Sequence, residues 1–347
     1  MSVERRRHLV STVLDRHALE YAAMGARRCG MHTHTKAMLV MVLASWFGCT
    51  SGGDDGGGRG GGDPASADGG AIPGDAGDAD AAPAMMACSE PQDGVLALEL
   101  TYDATPNVTG GTIELQGSET WSLTQPDGSG RVGAHGVRSE LRYGDTEAYG
   151  GARAETAIVG SSASRYAPGE EFFYGFSVYI PAGWIDDGSA DDILFEWHDI
   201  ADVGETGKAP NLVLAIKNDA FVARVVSDGN AMSTPATELK EEMILLGGLD
   251  TSQGTWHDFV FHIVWAYEGR GGLVEAWHKL AADTSYQKLL ERAGPNEHND
   301  ELDGYVKWGI NKPSWLTGPT SAEVRVVMHD EIRVGPSFGA VEPGCPR

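Results

Sequence analysis

The stretch "TWHDFVFHIVWAYEGRGGLVEAWHKL", residues 255–280, holds two runs of alternating apolar and polar residues around a glycine-rich turn. Side chains along a β-strand point alternately to two faces, and two such runs joined by a short Gly-containing connection are typical of a β-hairpin. The earlier run "FFYGFSVYIP", residues 172–181, alternates in the same way. Its predicted apolar face consists of Phe172, Tyr174, Phe176, Val178 and Ile180.

More strand-like runs follow on both sides, among them "NLVLAIKND", "FVARVVSDGN", "YVKWGIN" and "VRVVMHDEIRVG". Helical periodicity is confined to short pieces such as "TELKEEMILLGG", residues 237–248, and "TSYQKLLERAG", residues 284–294. Many short strands separated by Gly, Asp and Asn turns are typical of a β-sandwich. We therefore predict an all-β domain, a concanavalin-like β-sandwich (jelly roll) with a concave substrate groove.

The N-terminal part of the chain resembles the export segment of a bacterial lipoprotein. Residues 1–49 end in "KAMLVMVLASWFGC", an apolar run too short to span a membrane but of the length of a secretory signal. We expect lipidation at Cys49, with ordinary signal cleavage nearby as the alternative. The protein would then be exported, either to the cell surface or outer membrane through the lipid or in secreted form.

Residues 50–87 are a Gly-, Asp- and Ala-rich segment without apolar periodicity, which we interpret as a disordered tether. Residues 88–347 would form the folded domain. Cys88 and Cys345 bracket that domain, and in an exported chain we expect them to form a disulfide.

The charge of the chain limits its partners. The formal net charge is −24, and the domain alone carries 18 Lys and Arg against 40 Asp and Glu. So acidic a protein is a poor candidate for binding nucleic acid or an anionic membrane surface. An anionic substrate would have to meet a local group of basic residues.

Three strand-like segments carry polar side chains at a period of two, so that each segment presents them on one face. Ionisable groups repeated on the outer face of neighbouring strands would line a groove. The polar residues are Arg138, Glu140 and Arg142 in "RSELR", Glu196 and His198 in "FEWHD", and Tyr305, Lys307 and Asn311 in "YVKWGIN".

These three motifs, in this order in a β-sandwich, resemble the jelly-roll polysaccharide lyases that act on alginate, glucuronan or heparin-like polymers. The family pattern is R-[ST]-E-[LV]-R, then Q-[IVW]-H, then Y-x-K-x-G-x-Y. The first motif matches fully. The second has Glu196 in place of Gln, and the third has Asn311 in place of the second Tyr.

The resemblance implies β-elimination on a uronic-acid-containing polysaccharide, in which a base removes the C5 proton and the C4–O bond breaks. The substrate carboxylate must be neutralised before that proton becomes acidic. Arg138 would bind the carboxylate, and His198 would act as donor or base. Tyr305 would act as base and acid if Lys307 or an Arg lowered its pKa. We predict Glu140, Arg142, Lys217 and Asn311 as further substrate-binding residues.

Glu196 is the main departure, because an ionised carboxylate would repel the substrate where Gln donates a hydrogen bond. We predict that burial keeps Glu196 protonated, and that Glu196→Gln would retain activity and extend it to higher pH. A bridging cation or a changed substrate is the alternative.

Two other functions remain open at this point. A glycoside hydrolase would use Glu196 with Glu140 as its carboxylate pair, and a surface carbohydrate-binding protein would have no catalytic activity. We expect a monomer that requires no cofactor, with Ca²⁺ possible in the acidic loops at Asp186-Asp187 and Asp191-Asp192.

Overall fold

The computed structural model describes residues 94–103, 113–159, 161–205, 207–267, 269 and 271–345. Within these residues the chain forms fifteen strands, two 3-10 helices (Leu249–Thr251 and Pro313–Leu316) and one short α-helix, α1 (Phe338–Val341). The strands are β1 (Leu98–Leu100), β2 (Ile113–Gln116), β3 (Leu123–Thr124), β4 (Val137–Arg142), β5 (Arg153–Ile158), β6 (Glu171–Ile180), β7 (Asp192–Ile200), β8 (Leu212–Lys217), β9 (Ala220–Ser227), β10 (Leu239–Gly247), β11 (Thr255–Val264), β12 (Leu273–Leu280), β13 (Gln287–Ala293), β14 (Leu302–Asn311) and β15 (Val324–Gly335).

The strands pair into two antiparallel sheets that pack face to face. One sheet has the strand order β13-β12-β11-β6-β15-β4-β3, and β1 pairs with β15 as its eighth strand. The other has the order β10-β9-β8-β7-β14-β5-β2. We call them the eight-stranded and the seven-stranded sheet. The predicted all-β sandwich is confirmed, as is the β11–β12 hairpin.

Aromatic side chains from both sheets fill the space between them. Phe176 on β6 stacks on Phe195 on β7 with ring centroids 4.1 Å apart, which joins the two sheets directly. Trp308 on β14 is fully buried and donates a hydrogen bond to the Tyr102 hydroxyl at 2.8 Å. Burying a large apolar side chain stabilises a fold by about 1.5–3 kcal/mol. Because one face of each strand is committed to this core, the opposite face carries the polar residues outward.

The two segments with helical periodicity are strands, so that expectation is wrong. Residues 239–247 form β10 and residues 287–293 form β13, the edge strands of the seven- and eight-stranded sheets. Edge strands are largely exposed, and β10 buries only Leu245 among its nine residues. Their Lys, Glu and Leu residues favour helix intrinsically, but backbone pairing with β9 and β12 decides the conformation.

The predicted signal segment, the tether, Cys49 and Cys88 lie outside the described residues. Cys345 is buried, but its pairing with Cys88 stays a prediction. Among the described residues, no helix is long and apolar enough to cross a membrane.

Candidate active site

Two neighbouring strands of the seven-stranded sheet bring most of the predicted site together. Trp197 of β7 and Val306 of β14 are buried in the core, so the residues that alternate with them point to the outer face of the sheet. In the β7–β14 register, Tyr305 lies opposite His198 and Lys307 lies opposite Glu196. The "FEWHD" and "YVKWGIN" motifs therefore share one face, as two of the three motifs expected there.

The two departures from the family pattern contact each other. Asn311 Nδ2 donates a hydrogen bond to Glu196 Oε1 at 2.8 Å, and Lys307 Nζ lies 2.7 Å from Glu196 Oε2. Glu196 is only 1% exposed. Both of its carboxylate oxygens are therefore held by donors inside the sheet, and the Asn at 311 provides a partner for the Glu at 196.

Glu196 is ionised in this arrangement, so the prediction that it acts in protonated form is wrong. Burial opposes ionisation, but the Lys307 ammonium, followed by His198 and Arg153, lowers the pKa of Glu196 from 4.5 to about 2. The sequence showed that Glu196 would be buried near polar groups. It did not show that a lysine on the neighbouring strand would bind the carboxylate.

Two further residues of the site, Arg153 and Glu155, were missed by the sequence analysis. They lie on β5, which pairs with β14 on the side away from β7. Glu155 Oε2 is 3.3 Å from Arg153 Nη1 and 3.5 Å from Lys307 Nζ. Gly309 permits this close approach, because a Cβ at that position would lie 2.3 Å from the Ala154 carbonyl oxygen. The available signal was the R-x-E spacing at 153–155, which repeats the spacing at 138–140.

Glu155 differs from Glu196 in both protonation and hydrogen bonding. Burial, followed by the nearby Glu196 carboxylate, raises the pKa of Glu155 above 4.5, and Lys307, Arg153 and His198 oppose the rise only in part. Glu155 Oε1 has no hydrogen-bond partner among the described residues. Arg153 is the most exposed of the four charged side chains, at 18%.

His198 and Tyr305 form the part of the site that is open to solvent. Their rings lie 5.5 Å apart between centroids, and the His198 side chain is 24% exposed. His198 Nδ1 lies 2.8 Å from the Asp199 carbonyl oxygen. A carbonyl oxygen only accepts, so Nδ1 carries the proton in the neutral ring and Nε2 has a lone pair.

Tyr305 is a protonated phenol in this site. Burial and then the carboxylate of Glu196 raise the pKa of Tyr305 above its ordinary value, and Arg153 opposes the rise. The expected lowering of the Tyr305 pKa by Lys307 is therefore wrong, because the ammonium of Lys307 is bound to Glu196.

A buried polar cluster supports His198 from behind. Asp199 Oδ2 lies 3.0 Å from Lys208 Nζ and 3.0 Å from His298 Nδ1. The Lys208 side chain is 1% exposed and also lies 2.7 Å from Glu205 Oε2. These contacts hold the Asp199 side chain, and the Asp199 carbonyl in turn sets the orientation of the His198 ring.

The "RSELR" motif lies on the other side of the molecule. Val137 and Leu141 of β4 are in the core, so Arg138, Glu140 and Arg142 point to the outer face of the eight-stranded sheet. The structure does not bring Arg138, Glu140 or Arg142 to the face that carries His198 and Tyr305. Both arginines instead pair with Glu140 at 2.5 Å.

This placement also excludes the carboxylate pair of the hydrolase alternative. Glu140 and Glu196 lie on opposite outer faces of the sandwich, and a glycoside hydrolase needs both carboxylates around one glycosidic bond. Glu155 and Glu196 lie in the same site but are each at most 1% exposed.

Lys217 lies on the outer face of the seven-stranded sheet. It follows Val213 at a period of two along β8, and Val213 pairs with Glu196. The Lys217 ammonium is bound to Glu242 at 2.9 Å and lies 3.6 Å from Asp191. A role for Lys217 in substrate binding stays a prediction.

The calcium expectation stays a prediction as well. Asp187 and Asp192 already have cationic partners. Lys312 Nζ lies 2.7 Å from a carboxylate oxygen of each, and Arg325 Nη2 lies 2.9 Å from Oδ2 of each. Asp191 pairs with Arg224, and Asp186 accepts a hydrogen bond from the Asp219 backbone.

Comparison with known families decides between the remaining classes of function. The family model described as "Polysaccharide lyase" matches residues 104–333. The chain belongs to the polysaccharide lyase family. The match spans β2 to β15 up to Arg333 and so includes every strand of the candidate site. The predicted family and enzyme class are confirmed, and a carbohydrate-binding protein without catalytic activity is not the class that the match indicates.

Solved structures of similar shape include several lyases. An endo-β-1,4-glucuronan lyase from the fungus Trichoderma reesei is 20% identical, with a TM-score of 0.58 over 72% of this chain and 99% of that one. Alginate lyases from Aplysia kurodai and a Chlorella virus are 10% and 9% identical, with TM-scores of 0.44 and 0.43, each over 70% of this chain and 100% of that one. The first of these supports the jelly-roll fold, and no argument rests on the other two. A search of curated proteins found no match.

Proposed function

We propose that this lyase cleaves a 1,4-linked polyuronate by β-elimination, with His198 as the base and Tyr305 as the acid. One observation carries the proposal: Tyr305 lies opposite His198 on the outer face of the seven-stranded sheet, with ring centroids 5.5 Å apart. A base and an acid at that separation can reach the C5 proton and the O4 atom of one glycosidic linkage.

Tyr305 starts the reaction as the protonated phenol that its role requires. His198 Nε2 takes the C5 proton, and the C5–H electrons move into an enolate of the substrate carboxylate. The enolate then collapses to a C4=C5 double bond as the C4–O4 bond breaks, and Tyr305 Oη–H donates its proton to O4. Because the pKa of Tyr305 is raised by burial and by Glu196, the phenol holds this proton until the leaving oxygen needs it.

We assign neutralisation of the substrate carboxylate to Arg153 rather than to Arg138. Arg153 is on the same sheet face as His198 and Tyr305, and its side chain is 18% exposed. A guanidinium matches a carboxylate with two parallel N–H donors. Lys307 lies deeper in the site, at 2% exposure, where its ammonium is paired with Glu196.

The test is a panel of polymers assayed by the ultraviolet absorbance of the unsaturated uronate product. Glucuronan comes first, because the Trichoderma reesei enzyme of similar fold acts on it, followed by alginate. Carboxyl-reduced glucuronan is the matched control, since it keeps the linkage and lacks the acidifying carboxyl group. We expect cleavage of a polyuronate and none of its reduced form. Cleavage of the reduced polymer, or products without the double bond, would contradict the proposal.

We also propose that the protein is exported and anchored by lipid at Cys49, on the sequence pattern alone. Mass spectrometry of the mature N-terminus tests this. A mature chain that begins elsewhere and remains in the soluble fraction would contradict the anchor.

A further inference from the structure

The two carboxylates beside Lys307 differ in how closely donors contact them. Glu196 has two close donors, Lys307 Nζ at 2.7 Å and Asn311 Nδ2 at 2.8 Å. Glu155 has only longer contacts, 3.3 Å to Arg153 Nη1 and 3.5 Å to Lys307 Nζ. Two buried carboxylates therefore compete for one buried ammonium, and Glu196 holds it.

Glu155 Oε1 is the carboxylate oxygen of this network with neither a hydrogen bond nor an ion-pair contact among the described residues. It is buried and has no hydrogen-bond partner among the described residues, although Glu155 is 0% exposed. A buried carboxylate oxygen without a donor is costly when the group is ionised and much less costly when it is protonated. Polar side chains on the outer face of the sheet surround Glu155 on β5, on its neighbours β14 and β2, and on β7 beyond β14. They are Arg153 on β5, Tyr305, Lys307 and Asn311 on β14, Glu114 and Gln116 on β2, and Glu196 and His198 on β7.

We propose that Glu155 is a positioning residue that carries a proton whenever the uronate carboxylate is bound, so that the network of Arg153, Glu155, Lys307 and Glu196 offers the substrate one net positive charge. With Glu155 ionised, the two cations and two anions of the network cancel. This inference rests on the proposed function and adds the proton on which substrate binding depends.

The raised pKa of Glu155 and the low pKa of Glu196 agree with this division of one proton between two carboxylates. The need for a local positive charge follows from the domain, in which 40 acidic residues outnumber 18 basic ones. A polyanion approaching such a surface is repelled on average, so one unit of charge at the groove has a large effect on binding.

Glu155 acts through Arg153. An ionised Glu155 attracts the guanidinium, whose Nη1 is 3.3 Å from Glu155 Oε2, and competes with the substrate for its N–H donors. A protonated Glu155 leaves those donors to the substrate carboxylate. Each bound uronate carboxylate then stabilises the proton on Glu155 in return.

The first experiment measures KM and kcat across pH for the wild type, Glu155→Gln and Glu196→Gln. In both variants the network keeps one net positive charge as long as its remaining carboxylate is ionised, because a single carboxylate then stands beside two cations. We expect the wild-type KM to rise by up to about tenfold per pH unit above the pKa of Glu155, and the KM of both variants to stay flat over that range. Glu140→Gln on the opposite face is the matched control and should follow the wild type.

The second experiment counts protons directly, in a variant that leaves Glu155 in place. Tyr305→Phe lacks the acid and should bind a glucuronan hexasaccharide without cleaving it. Calorimetry in buffers of different ionisation enthalpy then counts the protons taken up on binding. We expect uptake to rise towards one proton as the pH passes the pKa of Glu155, and Glu155→Gln in the same background to remove it. If the polymer panel identifies alginate as the substrate, an alginate hexasaccharide replaces the probe.

The outcomes separate this inference from the proposed function. An enzyme that cleaves a polyuronate but whose Glu155→Gln variant keeps the wild-type pH dependence of KM would overturn the inference alone. A KM raised by one constant factor at every pH would show a merely structural role, and binding without proton uptake would do the same. Failure to cleave any polyuronate would instead contradict the proposed function.

Discussion

The two outer faces of the sandwich carry the same short sequence pattern and use it differently. On β4, Arg138 and Arg142 pair with Glu140 on the outer face of the eight-stranded sheet, and the Arg142 guanidinium lies 4.2 Å from the Trp121 ring centroid. On β5, Arg153 and Glu155 lie beside Lys307 and the His198–Tyr305 pair. An R-x-E motif therefore indicates an outward-facing ion pair, and only its neighbours across the sheet make it part of a site.

Surroundings account for this difference. Glu140 has two arginines and, among the described residues, no second carboxylate in contact. Despite its burial, these arginines lower its pKa. Glu155 shares its cations with Glu196, and its pKa is raised. The comparison predicts large effects on activity from substitutions on the seven-stranded face and small ones from matched substitutions on the other face.

The largest expected effect is a loss of activity on substitution of Tyr305, the proposed acid. Tyr305→Phe should lower kcat/KM by about 1000-fold, because positioned proton transfer contributes 10²–10⁴-fold to such reactions. Tyr179→Phe is the matched control, since Tyr179 packs against Trp256 on the eight-stranded face, and it should stay within about threefold of the wild type. Initial rates of product absorbance measure both. Equal losses of kcat/KM in the two variants would contradict the expected difference between the two faces.

The next largest effect is expected on the stability of the protein, through the buried ion pair of Lys307 and Glu196. Lys307→Met should reduce the free energy of unfolding by about 3–5 kcal/mol near neutral pH, because it leaves Glu196 buried without its cation. The loss should shrink in acid, where Glu196 becomes protonated. Arg142→Met on the opposite face should cost about 0–1 kcal/mol, since Arg142 is exposed. Urea denaturation at several pH values measures these differences, and a pH-independent loss for Lys307→Met would contradict the ion pair.

The two arginines test the comparison most directly. Arg153→Gln should lower kcat/KM by about 30- to 100-fold, the effect of losing one charge-assisted contact of about 2–3 kcal/mol. Arg138→Gln should change kcat/KM by less than about threefold, because it lies on the other sheet. The reverse ranking would return the carboxylate-binding role to the "RSELR" motif.

The smallest expected effect is at Trp121. Trp121→Ala should remove the stacking of Arg142 and lower the free energy of unfolding by about 1 kcal/mol, with kcat/KM unchanged. Thermal unfolding and the standard activity assay measure the two quantities. Lost activity at wild-type stability would indicate that the eight-stranded face also binds polymer.

The sequence alone determined the sandwich and one half of the site. Period-two alternation is a local property of each strand, so it correctly placed Glu196 with His198 and Tyr305 with Lys307 on outward faces. It also indicated the family, because the three motifs are read residue by residue. The same local reading failed at β10 and β13, where pairing at a sheet edge overrides helix propensity.

Only the tertiary structure decided which outward faces coincide. Alternation cannot tell the outer face of one sheet from that of the other, because strand order depends on pairing between residues far apart in the chain. That order separates Arg138 from the groove and brings Arg153 and Glu155 to Lys307. The protonation states of the site were also decided by the tertiary structure. Besides burial, charges on neighbouring strands shift the pKa values of Glu155, Glu196 and Tyr305, and those neighbours are in place only once the sheet has formed.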